Sequence, residues 1–115
     1  FNYFKYIIKD CNQEKFYCIY LDTKKNIIEI KLLFIGTVNY SIVHPREIFK
    51  NAYLLSASSF ICVHNHPSGD INPSEIDINI TKELVNIGKL QKIPLIDHII
   101  IGEKEYYSFY ENGKI

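Results

Sequence analysis

The chain has 115 residues, of which 47% are apolar, and thirteen lysines and arginines balance thirteen aspartates and glutamates. This length suits a single domain over 1–115. The zero net charge excludes a strong overall electrostatic field that would attract the phosphate backbone of a nucleic acid. No apolar run approaches the ~20 residues of a membrane helix, and three cysteines without a Cys-x-x-Cys pair argue against a disulfide framework, so we expect a protein of the reducing cytoplasm.

The first half of the sequence predicts three strands and a helix. The strands are rich in aromatic and β-branched residues, are separated by turn-forming residues, and cover 15–21, 27–35 and 37–43. The polar turn between the first two makes them a hairpin. A helix is predicted from Pro45, which suits the first helical position, to about Ser56, because apolar residues recur there at helical spacing.

The second half predicts a strand, a helix and two further strands. The strand over 60–66 begins with four apolar residues in a row, which is typical of an interior strand. A loop rich in proline and glycine follows, and Ser74 is a suitable N-cap for a helix that runs to about Gln91. The last strands cover 95–101 and 106–110. The predicted order is βββαβαββ, a mixed α/β (α+β) fold in which helices flank a mixed sheet.

Two of the four histidines lie one residue apart at the end of the strand over 60–66. Residues i and i+2 of a strand project from the same face, so His64 and His66 point together while Asn65 points away. The following helix offers Asp77 in its first turn and returns a carboxylate to the end of the strand. Two nitrogens, with His64 using Nε2 or Nδ1, and one oxygen are typical of a catalytic zinc site with an open fourth position. The sequence therefore predicts one Zn²⁺ ion.

Each part of this pattern also has a structural explanation without a metal. A His-x-His pair on a strand is usually two half-exposed side chains. Ser74 and Asp77 have the spacing of a capping box, and the helix dipole favours an acid in the first turn. The combination favours the metal, because two histidines on one face, a Gly/Pro loop and an acid at a helix start occur together within fourteen residues.

The same residues carry a resemblance to a known family. His64-x-His66, seven residues, Ser74, two residues and Asp77 match the signature of the JAMM (JAB/MPN) metalloproteases, and the strings HNHPSGD, PSEID, HPREIF and LIDHIIIGEKEYYSF look like the RadC branch. The resemblance implies a cytidine-deaminase-like JAB/MPN fold, zinc bound by His64, His66 and Asp77, and a Ser74 hydroxyl that hydrogen-bonds the reacting groups. RadC proteins usually carry a helix-hairpin-helix-like region upstream, so the chain would be the isolated C-terminal domain of a longer protein.

The resemblance also implies an upstream glutamate that acts as general base through the metal-bound water. In the family this residue lies just before or at the start of an early strand, and Glu14 occupies that place. Glu47, just after Pro45, is the rival, although the helix dipole favours an acid in a first turn without any catalytic role. We assign the base to Glu14 and keep Glu47 as the alternative.

Asp97 and His98 interrupt an otherwise apolar strand, and at most one of them can face the metal because neighbouring strand residues face opposite sides. A ligating imidazole needs a partner for its other nitrogen, which His98 could supply. A hydrogen-bonded core histidine is the favoured interpretation.

These residues predict a zinc-dependent hydrolase of the JAMM type that cleaves peptide or isopeptide bonds in a peptide or protein substrate. The alternative is a DNA repair or recombination accessory module that acts through protein or DNA contacts, as the label of RadC proteins implies. The neutral charge predicts weak or no direct DNA binding by this chain. We expect no membrane association, and a homodimer is one option for the assembly.

Overall fold

The strands and helices follow the predicted order throughout the residues that the computed structural model describes, 13–36 and 44–115. The strands are β1 (Glu14–Leu21), β2 (Ile27–Gly36), β3 (Ser59–Asn65), β4 (Leu95–Ile101) and β5 (Tyr106–Ser108). The helices are α1 (Pro45–Leu54) and α2 (Glu75–Gln91). These elements confirm the mixed α/β fold class. The third strand predicted over 37–43 lies outside the described residues.

The five strands form one mixed sheet in the order β2-β1-β3-β4-β5. β1 is antiparallel to both β2 and β3, β3 is parallel to β4, and β5 is antiparallel to β4. The chain passes through α2 between β3 and β4, because parallel neighbours need a crossover connection. As a result, the start of β1, the end of β3 and the start of α2 meet at one end of the sheet.

Both helices pack on one face of the sheet. The cluster there combines alternate residues of β1 and β3 with apolar residues of the helices and includes Phe16, Cys18, Tyr20, Ile48, Phe49, Ala52, Phe60, Cys62 and Leu84. A second cluster uses the intervening strand positions on the opposite face and includes Tyr17, Ile19, Leu21, Val63 and Ile101. β3 lies between them, which explains its continuous apolar run, because a strand covered on both faces needs no polar alternation.

Two elements end two residues earlier than predicted, and β3 ends one residue earlier, at Asn65. α1 ends at Leu54 rather than near Ser56, because Ser56 adopts a left-handed backbone with φ of 54° that does not continue a helix. β5 ends at Ser108 rather than at Tyr110, because the Ser108 hydroxyl accepts the Glu111 N–H at 3.0 Å and turns the chain out of the sheet. Across 13–36 and 44–115, neither helix has the length and apolar character needed to cross a bilayer.

Candidate metal centre

Four titratable side chains meet where β1 begins, β3 ends and α2 begins. They are Glu14, His64, His66 and Asp77, and each offers a ligand atom within 4.8 Å of the others. Strand pairing causes this meeting, because β1 is antiparallel to β3 with Phe16 opposite His64, so the first residue of β1 lies beside the end of β3. The structure therefore brings together the three predicted ligands and the predicted base.

The donor atoms have spacings close to those of a tetrahedral zinc site, with a different Asp77 oxygen nearest to each histidine. Asp77 Oδ1 lies 3.2 Å from His64 Nε2, Asp77 Oδ2 lies 3.0 Å from His66 Nε2, and the two Nε2 atoms are 3.2 Å apart. Zinc bonds of ~2.0–2.1 Å at tetrahedral angles place ligand atoms about 3.3 Å from one another. Two imidazole nitrogens and a carboxylate oxygen are also donors that catalytic zinc sites use. The residues present therefore fit this metal.

Hydrogen bonds on the far side of each imidazole determine which nitrogen faces the cluster. His66 Nδ1 lies 2.7 Å from the main-chain oxygen of Asp70, which can only accept, so Nδ1 carries the proton and Nε2 faces the cluster. His64 Nδ1 lies 2.8 Å from His98 Nε2, so His64 also turns its Nε2 toward the cluster. Both candidate ligands thus offer Nε2, a choice that the sequence left open for His64.

The two carboxylates of the cluster have pKa values shifted in opposite directions. Burial would raise the pKa of Asp77, but the adjacent His64 and His66 side chains outweigh burial and hold this pKa below its ordinary value. Burial raises the pKa of Glu14, and the neighbouring histidines oppose that rise only in part. An ionised Asp77 is suited to act as a metal ligand. A Glu14 side chain with a raised pKa is suited to act as a group that gains and loses a proton.

Glu14 and Glu47, the two candidate bases, lie in different surroundings. Glu14 Oε1 is 3.6 Å from His64 Nε2, and its side chain is 17% exposed. Glu47 lies in the first turn of α1 with a side chain that is 51% exposed, and its carboxylate lies 4.0 Å from Lys50 Nζ. The geometry places Glu14 in the cluster, and Glu47 is not a member of it.

Asn65 holds the main chain on both sides of Glu14, a role that sequence reasoning missed. Its side-chain oxygen accepts the Lys15 N–H at 2.6 Å, and its side-chain nitrogen donates to the Gln13 carbonyl oxygen at 3.1 Å. Asn65 is buried, so these bonds replace contacts with water and position the start of β1. The available signal was an amide side chain between two histidines at a strand end.

Ser74 and Asp77 form the capping box that the sequence suggested. The Ser74 hydroxyl accepts the Asp77 N–H at 3.1 Å, and Asp77 Oδ2 accepts the Ser74 N–H at 2.9 Å. Asp77 Oδ2 is also the oxygen that lies next to His66 Nε2. The capping explanation and the metal explanation are therefore compatible, because the cap holds the carboxylate where the histidines can share it.

Replacing Ser74 by alanine is expected to lower the free energy of unfolding by about 0.5–2 kcal/mol, because the Asp77 N–H loses its acceptor at the helix N-terminus. Urea denaturation in the presence of excess zinc measures this difference. Ser58→Ala is the control, since Ser58 precedes β3 and caps no helix; it should change the free energy by about 0.5 kcal/mol or less. A Ser74→Ala variant as stable as the parent would show that the cap contributes nothing.

His98 is the buried, hydrogen-bonded histidine that the sequence favoured, and its partner is a candidate ligand. Its Nε2 contacts His64 Nδ1, and its Nδ1 lies 2.6 Å from Thr81 Oγ1. Burial holds the pKa of His98 well below its ordinary value, so the ring is neutral. Sequence reasoning missed Thr81; the available signal was its place one helical turn after Asp77, on the same side of α2.

Comparisons with known proteins give a consistent set of relatives. A family model described as RadC-like JAB domain matches residues 1–114. A UPF0758 protein of Bacillus velezensis is 52% identical over 112 residues, which cover 95% of the chain and 48% of that protein. The UPF0758 protein YsxA of Bacillus subtilis is 54% identical over 101 residues, 88% of the chain and 44% of that protein. The chain spans about half the length of the curated relatives it matches.

Proposed function

We propose, from the premise that this chain belongs to the family of RadC-like JAB domains, that it is a zinc-dependent hydrolase that cleaves peptide or isopeptide bonds. One observation carries the proposal: the Nε2 atoms of His64 and His66 lie 3.2 Å apart, and each lies 3.0–3.2 Å from an oxygen of Asp77, with the Glu14 carboxylate beside them. The JAMM metalloproteases, which this sequence resembles, use such ligands for hydrolysis.

Three protein ligands would leave one position of a tetrahedral zinc ion open, which distinguishes a catalytic site from a structural one. When bound, the ion supplies Lewis-acid chemistry, because it polarises the scissile carbonyl and lowers the pKa of a water from ~15.7 toward ~7. The chain contributes the shape of the site. Phe16 stacks on the His64 ring at a centroid distance of 5.7 Å, which limits rotation of this ligand.

Two further side chains would handle protons and developing charge. Glu14 would take a proton from the attacking water and return it to the leaving nitrogen, and its raised pKa suits both steps. The Ser74 hydroxyl oxygen accepts the Asp77 N–H, so the capping bond does not use the hydroxyl proton. This proton is free to be donated to the oxygen of the scissile carbonyl. This assignment gives Ser74 a catalytic contact in addition to its cap.

The proposal is tested by elemental analysis of the purified protein followed by a cleavage screen. We expect one zinc ion per chain, and cleavage of at least one member of a library of peptides and ubiquitin-like isopeptide conjugates. Activity should disappear after chelation and return when zinc is added. A protein that binds no zinc, or one that binds zinc and cleaves no member of a broad library, would contradict the proposal.

The competing proposal is a DNA repair accessory module, and it makes a different prediction. We expect the chain to bind duplex DNA only weakly and without sequence preference at physiological salt, because its cations and anions are equal in number and no run of Lys or Arg exceeds two. Fluorescence anisotropy with labelled duplexes, with and without chelator, measures this binding. Sub-micromolar, sequence-selective binding that does not depend on metal would favour the accessory module over the hydrolase.

A further inference from the structure

A buried chain of hydrogen bonds runs from the main chain of α2 to the back of His64. The Asp77 carbonyl oxygen lies 2.7 Å from Thr81 Oγ1, Thr81 Oγ1 lies 2.6 Å from His98 Nδ1, and His98 Nε2 lies 2.8 Å from His64 Nδ1. The three side chains have exposed fractions of 2%, 0% and 1%. No bulk water competes for these bonds, so the protons in the chain are located by the protein groups themselves.

The direction of the first bond is determined by the carbonyl group. A carbonyl oxygen only accepts, so Thr81 must donate its single hydroxyl proton to Asp77 O. Thr81 Oγ1 then accepts from His98, and His98 Nδ1 carries a proton. If Thr81 donated to His98 instead, two oxygens without a proton between them would lie 2.7 Å apart in a buried site, which is unfavourable.

The remaining bonds follow from the first. A neutral imidazole has one N–H, and in His98 this group is on Nδ1, so His98 Nε2 is an acceptor. His64 Nδ1 must therefore donate to it, which leaves the lone pair of His64 on Nε2. His64 Nε2 is the atom that lies 3.2 Å from Asp77 Oδ1 and from His66 Nε2.

We propose that Thr81 and His98 are positioning residues that hold His64 in the Nδ1–H tautomer, the form in which Nε2 can bind a zinc ion. The inference rests on the metal site of the proposed function and not on any cleavage reaction. Aromatic packing supports it, because Phe109 stacks on His98 with ring centroids 4.8 Å apart and planes 9° apart, so the ring cannot easily turn to exchange its nitrogens. This series of hydrogen bonds also joins two candidate ligands, since it starts at the carbonyl oxygen of Asp77 and ends at His64.

Thr81→Val tests the proposal at the end of the hydrogen-bond series that is far from His64. Valine keeps the shape of threonine but neither accepts nor donates, so His98 Nδ1–H loses its partner and the proton is expected to move to Nε2. That proton would face His64 Nδ1 and favour the tautomer of His64 that cannot bind zinc through Nε2. Loss of such a partner typically weakens metal binding about 10–100-fold, which competition with a chromophoric chelator measures. Thr81→Ser restores the hydroxyl and should bind zinc as the parent does.

Nitrogen-15 spectra of the imidazole rings provide a readout that a merely structural role would not change. In the zinc-loaded parent, His98 should be neutral and protonated on Nδ1 alone, whereas Thr81→Val should show His98 protonated on Nε2. A parent in which His98 is protonated on Nε2 would overturn the proposal. So would a folded Thr81→Val variant with the zinc affinity of Thr81→Ser.

A second pair of variants keeps the proposal testable if Thr81→Val does not fold. His98→Gln retains a carbonyl oxygen that can accept from His64 Nδ1, whereas His98→Leu has no acceptor, so His98→Gln should bind zinc more tightly. Equal affinities would contradict the proposal. If the parent binds no zinc, the proposed function fails, and the spectrum of His98 in the metal-free protein still decides whether the chain of bonds has the inferred direction.

Discussion

Glu14→Gln is expected to lose hydrolysis almost completely while it keeps zinc. Glutamine preserves the shape of the side chain but cannot accept a proton, and removal of a general base typically lowers the rate 10²–10⁴-fold, roughly 3–5 kcal/mol of activation free energy. The metal should remain, because a base acts on the water rather than on the ion. The rate on a substrate from the cleavage screen and the zinc content by elemental analysis test the two parts of this expectation.

Glu47→Gln is the matched control for this prediction. Glu47 is an exposed acid in the first turn of α1, outside the cluster, so its replacement should leave the rate unchanged and change stability by only ~0.3–1 kcal/mol through the helix dipole. An inactive Glu47→Gln variant beside an active Glu14→Gln variant would move the base to Glu47. Loss of zinc from Glu14→Gln would instead make Glu14 a fourth ligand and the site a closed, structural one.

His66→Ala is expected to empty the metal site. A zinc site with four protein ligands contributes about 10–16 kcal/mol of binding free energy, or about 2.5–4 kcal/mol for each ligand, so losing one should raise the zinc Kd about 10²–10³-fold. The substitution removes the imidazole whose Nε2 lies 3.0 Å from Asp77 Oδ2. Zinc content after dialysis against a weak chelator should fall well below one ion per chain.

His44→Ala is the control for the loss of a histidine. His44 is exposed, and at the N-cap of α1 its side chain makes no capping bond, so zinc content and affinity should equal those of the parent. Full zinc stoichiometry in His66→Ala would show that the ion, if present, is bound elsewhere. Equal losses in His66→Ala and His44→Ala would point to general damage to the fold rather than to a ligand.

The sequence by itself determined the features that depend on neighbours along the chain. The two-residue repeat of a strand puts His64 and His66 on one face, and a spacing of three residues lets Ser74 and Asp77 cap α2. The order of the described elements followed from the same local periodicities, with errors only at ends such as that of α1, where a left-handed Ser56 stopped the helix. Each of these features is decided by backbone geometry within a few residues.

Only the tertiary structure decided which distant side chains join the site. Glu14 lies in the cluster because β1 pairs antiparallel with β3. The hydrogen bond from the Lys15 N–H to the Asn65 side chain joins the two strands across 50 residues of sequence. His98 lies beside His64 because β4 is the parallel neighbour of β3. The hydrogen bond between His98 Nε2 and His64 Nδ1 spans 34 residues of sequence and leaves Nε2 of His64 as the atom that faces the cluster. Local composition carries no such information, because the choice and register of strand partners depend on how the whole sheet buries its two faces.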